Sequence, residues 1–299
     1  MKRFKVTIGD ITFNVLNYTF FAMFTLMCIF PFYYLFINTI SDNTLSAKGY
    51  INFYPIGIHF SNYIQVLQIK GLGHAALISV ARTVIGTTLT VLASAFLGYL
   101  VTKNEMWGRK IWYRYFIITM YFNAGLIPWF ITMKHLNLTD NFLAYVIPSI
   151  VSPFNMILVK TFIESIPASL EESASIDGAG YFERFCKIIL PLSKPILATI
   201  AIFCAVGQWN SFTDTVILVK DSKLYTLQFI LYNYLNEATS IATIIKNSTG
   251  MSNIDLSHMQ TANSVRTTVS MIVILPILFV YPYFQRFFVK GIMIGAVKG

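Results

Sequence analysis

Charged residues are scarce in this chain of 299 residues, where Asp, Glu, Lys and Arg together make up 12%. Soluble globular domains carry about 25% charged residues, so the composition excludes an ordinary soluble protein. Acidic residues are the rarer sign, with 13 against 22 Lys and Arg, while hydrophobic residues reach 56%. A net charge of +9 could suit nucleic acid. The basic residues do not cluster with aromatic residues in a polar domain, however, and we expect no nucleic-acid partner.

Cysteine and the common catalytic motifs are also missing or rare. The three cysteines form no motif, and we expect no disulfide. No G-x-x-x-x-G-K-[ST] phosphate loop, no H-E-x-x-H and no G-x-S-x-G occurs in the sequence. The chain is therefore predicted not to be an enzyme, with no catalytic residue, metal site or cofactor of its own. Its scattered histidines are more typical of surface positions than of ligands: His59, His74, His135 and His258.

Long apolar runs are abundant instead, and they set the predicted fold. A bilayer core needs about 20 helical residues, and backbone polar groups in lipid must be satisfied within the segment. None of the runs alternates as a barrel strand would. The sequence predicts an all-α membrane protein, a single transmembrane domain over 1–299 with six helices. The predicted spans are 13–40, 74–101, 113–133, 141–163, 196–219 and 267–288, with external loops at 41–73 and 220–266.

The distribution of Lys and Arg orients these spans. With the N-terminus inside, the inner segments hold fourteen basic residues and the outer segments six, while Arg82 and Arg266 lie at outer span ends. Cytoplasmic segments of membrane proteins carry the excess of Lys and Arg. Both termini and the loop between the fourth and fifth spans are therefore predicted to be cytoplasmic.

That loop, residues 164–195, is a polar stretch between apolar runs and holds five of the thirteen acidic residues. Its residues 168–177 favour a short helix after Pro167, which residues 178–180 then end with two glycines. A second amphipathic helix is expected to follow, until Pro191 and Pro195 break its pattern. The loop is thus predicted to be a helical hairpin at the membrane surface.

The residues of this hairpin carry a family resemblance. Glu172-Ser173-Ala174-Ser175-Ile176-Asp177-Gly178-Ala179, with Ile188-x-Leu190-Pro191 after eight residues, resembles the EAA loop of ABC-importer permease subunits; Ser173 replaces the family's alanine. The resemblance implies a coupling helix that docks on a separate ATP-hydrolysing subunit. It assigns ATPase coupling to Glu171, Glu172, Ala174, Asp177, Gly178 and Ala179. The alternative is an ordinary hairpin resting on lipid headgroups.

Further stretches narrow the resemblance to a subclass. Phe122–Pro128, Pro191–Pro195, Gly207–Ser211 and the terminal residues 285–299 are similar to maltose-type carbohydrate importers, in the branch for complex or acidic oligosaccharides. The resemblance covers about residues 70–299. It implies a multi-pass protein of the bacterial cytoplasmic membrane with a second, homologous permease subunit. Two ATPase subunits that bind ATP and Mg and an extracytoplasmic solute-binding protein complete the implied assembly. Loop 220–266 is then either a contact surface for the binding protein or a flexible external loop.

Polar residues inside spans are costly and mark transport pathways or helix contacts. Amides can bond sugar hydroxyls, and an indole can stack on a sugar ring. The alternative role is hydrogen bonding between helices. The candidates for the substrate pathway are Asn123, Asn155, Gln208, Trp209 and Asn210. Arg82 and Asp214, also within apolar runs, could pair with each other or with a partner subunit.

The leading interpretation is a permease subunit that moves oligosaccharides inward by alternating access, driven by ATP hydrolysed on partner subunits. Two other functions stay open, an ion-coupled secondary sugar transporter and a membrane assembly protein that moves no solute. Ion-coupled carriers usually place acidic residues deep in their spans. The predicted third, fourth and sixth spans have none, which counts against that alternative.

Overall fold

The computed structural model describes residues 7–236 and 262–296, and every regular element within them is helical. The polar stretch 240–257 of the predicted external loop lies outside the described residues. The helices are α1 (Ile8–Thr39), α2 (Asn43–Ala47), α3 (Ser61–Leu67), α4 (Leu72–Leu100), α5 (Arg109–Tyr121), α6 (Leu126–His135), α7 (Pro153–Ile163), α8 (Ser169–Ile176), α9 (Tyr181–Arg184), α10 (Leu190–Leu192), α11 (Lys194–Asn210), α12 (Thr213–Leu218), α13 (residues 227–236) and α14 (Ala262–Ala296). Shorter turns lie at Phe142–Tyr145, Ile147–Ser149 and Ser222–Leu224, which are 3₁₀, and at Phe185–Ile189, which is π.

Three of these helices are long and apolar enough to cross a membrane: α1, α4 and the part of α14 over Asn263–Val280. Two bent pairs reach the required length only together. Phe142–Ser149 and α7 meet at 44°, and Tyr181–Leu192 and α11 meet at 79°. The described residues therefore hold three single helices that could span a membrane, or up to five candidate spans with the bent pairs, where the sequence predicted six.

The predicted third span at 113–133 is not a single helix in the structure. α5 ends at Tyr121 and α6 begins at Leu126, so neither helix alone has the length of a span. In the break, Gly125 adopts a positive φ of 89°, and its N–H donates to Asn123 Oδ1 at 2.9 Å. The Asn side chain thus satisfies a backbone donor that a continuous helix would have paired internally.

The predicted break of the second hairpin helix at Pro191 and Pro195 is confirmed, and it lies between these two prolines. The helical backbone runs through Pro191 to Leu192, with the π turn Phe185–Ile189 immediately before it. Proline lacks an N–H, and its ring crowds the carbonyl of the fourth preceding residue. A π turn is wider than an α turn and gives that ring room, and such insertions are frequent at functional sites. The chain bends only after this point, where α11 begins at Lys194.

The chain divides into two compact units, of which the first comprises residues 1–69 and 234–272. Within this unit α1 buries only its last residues, Ile37, Asn38 and Thr39. Asn62 and Asn43 exchange amide hydrogen bonds of 2.9 and 3.1 Å, and Asn62 also donates to the Thr39 carbonyl at 2.9 Å. These pairings satisfy buried amides and hold the loop after α1 against the end of that helix.

The second unit comprises residues 70–233 and 273–299 and contains two buried apolar clusters. One cluster joins α4, α7 and the π turn, and the other joins α4, α6, the 3₁₀ turns and α12. α4 and α7 approach closely because Gly98 faces α7: a Cβ there would lie 3.1 Å from Val159 Cγ1 and 3.2 Å from Met156 O.

A connection at the rim of the second unit is held by Asp140. Its carboxylate accepts the backbone N–H groups of Lys220 and Asp221, the latter at 2.9 Å. These hydrogen bonds, the one from Lys220 foremost, hold the pKa of Asp140 below its ordinary value. The loop after α6 and the chain after α12 are thereby tied together.

Candidate functional site

A polar cavity of about 350 Å³ lies within the second unit, among α4, α6, α7, α11 and α12. Hydroxyl, amide and aromatic side chains contribute much of its lining, although the surrounding helices are mainly apolar. Its polar and aromatic lining residues are Arg82, Thr90, Trp129, Tyr145, Ser149, Ser152, Asn155, Cys204, Gln208, Ser211 and Asp214.

The positive charge in this cavity belongs to Arg82 of α4, whose side chain is 3% exposed. Its Nη2 lies 2.5 Å from Asp214 Oδ2, and its Nη1 lies 3.1 Å from Oδ1. Both Nε and Nη2 donate to Gln208 Oε1 at 3.1 Å, and the guanidinium carbon lies 4.5 Å from the Tyr145 ring centroid. A buried charge is tolerated when it is paired and fully hydrogen-bonded. The pairing of Arg82 with Asp214, one of the two alternatives from the sequence, is confirmed, and it neutralises the guanidinium.

Gln208 joins this ion pair to the 3₁₀ turns on the opposite wall. Its Nε2 donates to Ser149 Oγ at 2.7 Å and to the Tyr145 carbonyl at 3.4 Å. The side chain passes α4 at Gly86, where a Cβ would lie only 2.7 Å from Gln208 Nε2. The amide therefore crosses the cavity at a point where α4 has no side chain.

Two of the five predicted pathway residues, Asn155 and Gln208, line the polar cavity. Asn155 donates to Cys204 Sγ at 3.2 Å, also in the lining. The other three lie elsewhere. Trp209 donates to the Val273 carbonyl at 3.1 Å and borders a separate apolar cavity of about 350 Å³ among α4, α11 and α14. Asn210 accepts from Gln228 at 3.0 Å, and Asn123 lies exposed in the break between α5 and α6.

Sequence reasoning missed several residues of the cavity, notably Trp129, Tyr145 and Ser149. Trp129 and Tyr145 look like ordinary aromatic residues of apolar runs, and Ser149 ends a 3₁₀ turn that the sequence pattern does not reveal. The irregular 3₁₀ backbone turns the Ser149 hydroxyl toward Gln208. Only the fold brings these side chains to Arg82, which was the one clear anomaly in the second apolar run.

The second element of interest is α8, whose eight residues are all exposed or half-buried. Gly178 ends the helix at a φ of 85°. The N–H of Ala179 donates to the Ala174 carbonyl at 2.9 Å and that of Gly178 to the Ser175 carbonyl at 3.1 Å. This pair of bonds is the Schellman motif, which favours glycine at the left-handed position. The prediction of a short helix that ends at glycine is confirmed.

The residues with predicted ATPase coupling fall into three environments. Ala174, Asp177, Gly178 and Ala179 line a surface groove of about 300 Å³, together with Glu183, Arg184, Lys187 and Ile188. Glu172 is exposed, whereas the neighbouring Glu171 turns inward and pairs with Lys103 and the Tyr99 hydroxyl. Ser173 donates its hydroxyl to the Ser169 carbonyl at 2.9 Å, so the side chain that replaces the family's alanine bonds to its own helix.

The helical elements of the described residues, several of them long and apolar enough to span a membrane, together with the polar cavity and the exposed, capped helix, are consistent with a membrane permease. The family model described as "Binding-protein-dependent transport system inner membrane component" matches residues 90–294. The chain belongs to this family, and it is a multi-pass transport permease subunit of an ABC importer and not an enzyme. Permeases of this family work with a partner permease, an ATPase and a solute-binding protein.

Curated relatives and solved structures agree with this assignment over nearly the whole chain. The chain is 33% identical over 294 residues to the polygalacturonan/rhamnogalacturonan transport system permease protein YtcP of Bacillus subtilis (strain 168), covering 96% of this chain and 98% of that protein. It is 27% identical over 288 residues to the arabinooligosaccharides transport system permease protein AraQ of Halalkalibacterium halodurans, covering 93% and 94%. A chain of a bacterial ABC transporter involved in the import of the acidic polysaccharide alginate matches with a TM-score of 0.82 and 29% identity, covering 96% of this chain and 100% of that one.

Proposed function

We propose that this permease imports oligosaccharides across a bacterial cytoplasmic membrane, with ATP and Mg bound by two separate ATPase subunits. The observation that carries the proposal is α8: an exposed helix, closed by a Schellman motif, at the position of the coupling motif. An exposed helix with Glu172 on its surface offers a docking element for a neighbouring subunit. The similarity to permeases named for polygalacturonan, rhamnogalacturonan and arabinooligosaccharides supports a carbohydrate cargo.

The polar cavity is the proposed part of the cargo pathway in this chain. Its hydroxyl and amide groups can exchange hydrogen bonds with sugar hydroxyls, and the rings of Trp129 and Tyr145 can contact the apolar faces of sugars. Because Asp214 already neutralises Arg82, the cavity favours hydroxyl groups over a sugar carboxylate as ligands. Complex oligosaccharides, including acidic ones, are the proposed cargo class, with sugar hydroxyls as the groups that this cavity recognises.

The proposed topology has six crossings and places both termini and the hairpin 164–195 in the cytoplasm. The third crossing is then made by α5 and α6 across the break at 122–125, the fourth by the bent pair of Phe142–Ser149 and α7, and the fifth by α11 and α12. A break inside the membrane is tolerated where protein or a water-filled cavity surrounds it. The basic residues favour this orientation, with fourteen on the proposed inner segments and six on the outer ones.

The proposed transport cycle is alternating access. The external binding protein delivers the oligosaccharide to a pathway formed with a second, different permease chain. Closure of the paired ATPases on ATP moves α8, and α8 passes that movement to the spans. The loop 220–266 faces the binding protein in this arrangement.

Reversal of the exposed charge on α8 tests the proposal. In the complete assembly, reconstituted with its ATPases and binding protein in proteoliposomes, Glu172→Arg is expected to weaken ATPase co-purification or to uncouple hydrolysis from oligosaccharide uptake. Membrane insertion should be unchanged, because Glu172 is exposed outside the apolar cores.

Glu164→Arg is the matched control, since Glu164 carries the same charge on the same hairpin but precedes α8. It should leave uptake and co-purification unchanged. Full coupled uptake by Glu172→Arg would remove α8 from the mechanism, and uptake by the chain alone with an ion gradient would favour a secondary carrier.

A further inference from the structure

The end of α4 is joined to α8 by three side chains, Tyr99, Lys103 and Glu171, which we call the α4–α8 joint. The Tyr99 hydroxyl donates to Glu171 Oε1 at 2.9 Å, and the Lys103 ammonium forms an ion pair with Oε2. The same ammonium lies 4.3 Å from the centroid of the Tyr99 ring. Both carboxylate oxygens of Glu171 are therefore held by groups that α4 and the turn after it supply.

Burial separates Glu171 from its neighbour Glu172. The side chains of Lys103 and Glu171 are 15% and 18% exposed, and Tyr99 is 1% exposed. Successive residues of an α-helix point about 100° apart, so one can face the protein while the next faces outward. Glu171 faces α4 and Glu172 is exposed, so the two adjacent carboxylates have different surroundings.

Tyr99 also contacts the second helical part of the hairpin, which follows the turn at Gly178. Its hydroxyl lies 3.2 Å from the carbonyl oxygen of Tyr181 in α9, and its ring centroid lies 5.3 Å from that of Phe185 in the π turn. Phe185 in turn belongs to the buried cluster that joins α4, α7 and the π turn. Tyr99 thus contacts both helical parts of the hairpin, one on each side of the turn at Gly178.

The other end of this connection is the polar cavity. Arg82 and Thr90, which line it, lie on α4, the helix that ends beside Tyr99. The seventeen residue steps from Arg82 to Tyr99 correspond to about 25 Å along a helix axis. A continuous helix of this length connects the hairpin to the cavity without any intervening loop.

We propose that Tyr99 and Lys103 are positioning residues that clamp Glu171 and so pass movement of α8 to α4 and the cavity. Glu171, assigned from the sequence to the ATPase contact, serves this internal joint instead. The inference rests on the proposed function, since it presumes that α8 docks on an ATPase. It assigns the two neighbouring carboxylates different roles, with Glu172 for the partner and Glu171 for α4.

The test compares variants of the joint in the complete assembly with ATPases, binding protein and oligosaccharide in proteoliposomes. Lys103→Met, Glu171→Gln and Tyr99→Phe are expected to lower uptake per ATP hydrolysed by at least about fivefold, the lower end of typical coupling between sites. ATPase co-purification should stay normal because Glu172 is unchanged. Lys103→Arg keeps the cation beside Glu171 and over the Tyr99 ring, and it should retain most of the coupling.

The chain offers a matched control in a second Lys, Glu and Tyr cluster that does not involve α8. Lys160 pairs with Glu164 at 2.8 Å and lies 4.7 Å from the Tyr113 ring centroid, with its side chain 17% exposed. Lys160→Met should leave uptake per ATP unchanged. Equal effects of Lys103→Met and Lys160→Met would overturn the inference, because general destabilisation would explain both.

Two further outcomes would also overturn it. Reduced yield of the joint variants with normal uptake per ATP would assign the joint to stability alone. Loss of ATPase co-purification in Glu171→Gln would return Glu171 to the docking surface. Glu172→Arg distinguishes the two proposals: if it disturbs the ATPase while the joint variants are normal, only the joint fails. If Glu172→Arg also behaves normally, the proposed function fails.

Discussion

Arg82 is accommodated within an apolar helix because its guanidinium is hydrogen-bonded on every nitrogen. Asp214 supplies the opposite charge, Gln208 accepts twice, and the Ser211 carbonyl accepts from Nη1 at 3.2 Å. Asp214 is itself held by Ser211 Oγ at 3.2 Å and by the N–H of Thr215 at 2.9 Å. The network links α4 to the start of α12, and its energy depends on both charges being present.

Removal of Asp214 should therefore be costly. Asp214→Ala leaves Arg82 buried without its counter-ion, and breaking a buried pair in this way costs about 3–5 kcal/mol, with the lower end appropriate because Asp214 is partly exposed. The expected result is a lower unfolding temperature of the purified protein in detergent and a lower yield.

The exposed pair Lys187 and Glu183 provides the comparison for Asp214→Ala. It is also a short carboxylate contact, at 2.6 Å, but its side chains are 74% and 48% exposed. Glu183→Ala should leave the unfolding temperature unchanged, because exposed pairs contribute little. Equal shifts for Asp214→Ala and Glu183→Ala would contradict the structural role of the buried pair.

Residue types alone predicted only some of the residues at this site. Arg82 and Asp214 stood out because charges are rare in apolar runs, and Gln208 and Asn155 stood out as amides. Their partners could not be chosen, because sequence spacing does not say which helices are neighbours. Trp209 shows the converse: its type suits a sugar site, but its indole N–H is satisfied by the Val273 carbonyl in an apolar cavity.

At the scale of elements, close helix contacts depend on small residues of α4. Gly98 faces α7, and a Cβ there would meet Val159 Cγ1 at 3.1 Å and the Lys160 N and Met156 O atoms at 3.2 Å. Two of these three atoms are backbone, so a rotamer change of one side chain cannot relieve the contact. Glycine at this position lets α4 and α7 pack closely, as small residues commonly do between membrane helices.

Gly98→Ala should force α4 and α7 apart. Overpacking of a tight contact costs about 1–3 kcal/mol, which should appear as a lower unfolding temperature in detergent. Gly73→Ala is a control on the same helix, since a Cβ there meets nothing within 4 Å. It should be neutral or slightly stabilising, because alanine favours helix by up to about 1 kcal/mol over glycine. Equal destabilisation by both variants would argue against a close contact at Gly98.

The sequence predicted the positions of apolar helices better than it predicted where a helix is interrupted. Apolar runs located α1, α4 and α14, whose interiors tolerate Pro31 in α1 and Pro276 in α14. The same criterion predicted one span across α5 and α6. Mean hydropathy contains no information on the hydrogen bond that Asn123 Oδ1 accepts from the N–H of Gly125. Local hydrogen bonding, which a hydropathy average does not contain, decides such cases.

For the whole molecule, the apolar exterior is consistent with a lipid environment. Only 6% of the apolar window of α1 is buried within the chain, against 28% for α4. Large hydrophobic side chains on a soluble monomer would normally be buried against other elements, and lipid or a partner chain removes that requirement. Composition predicted this class correctly, because it reflects the solvent of the protein and does not depend on the path of the chain.

The orientation of the whole chain in the membrane gives a final prediction. After Cys28, Cys186 and Cys204 are replaced by alanine, single cysteines can be introduced at Ser175→Cys and Ser222→Cys, both at exposed positions. A membrane-impermeant maleimide should label Ser222→Cys on intact cells, because that position follows the fifth proposed crossing on the outside. Ser175→Cys lies on α8 and should react only after the cells are permeabilised. A chain that retains Cys28 alone should stay unlabelled in both conditions, since that thiol lies within the apolar helix α1, the first proposed crossing. Reaction of Ser175→Cys on intact cells would place α8 outside, where no ATPase could reach Glu172.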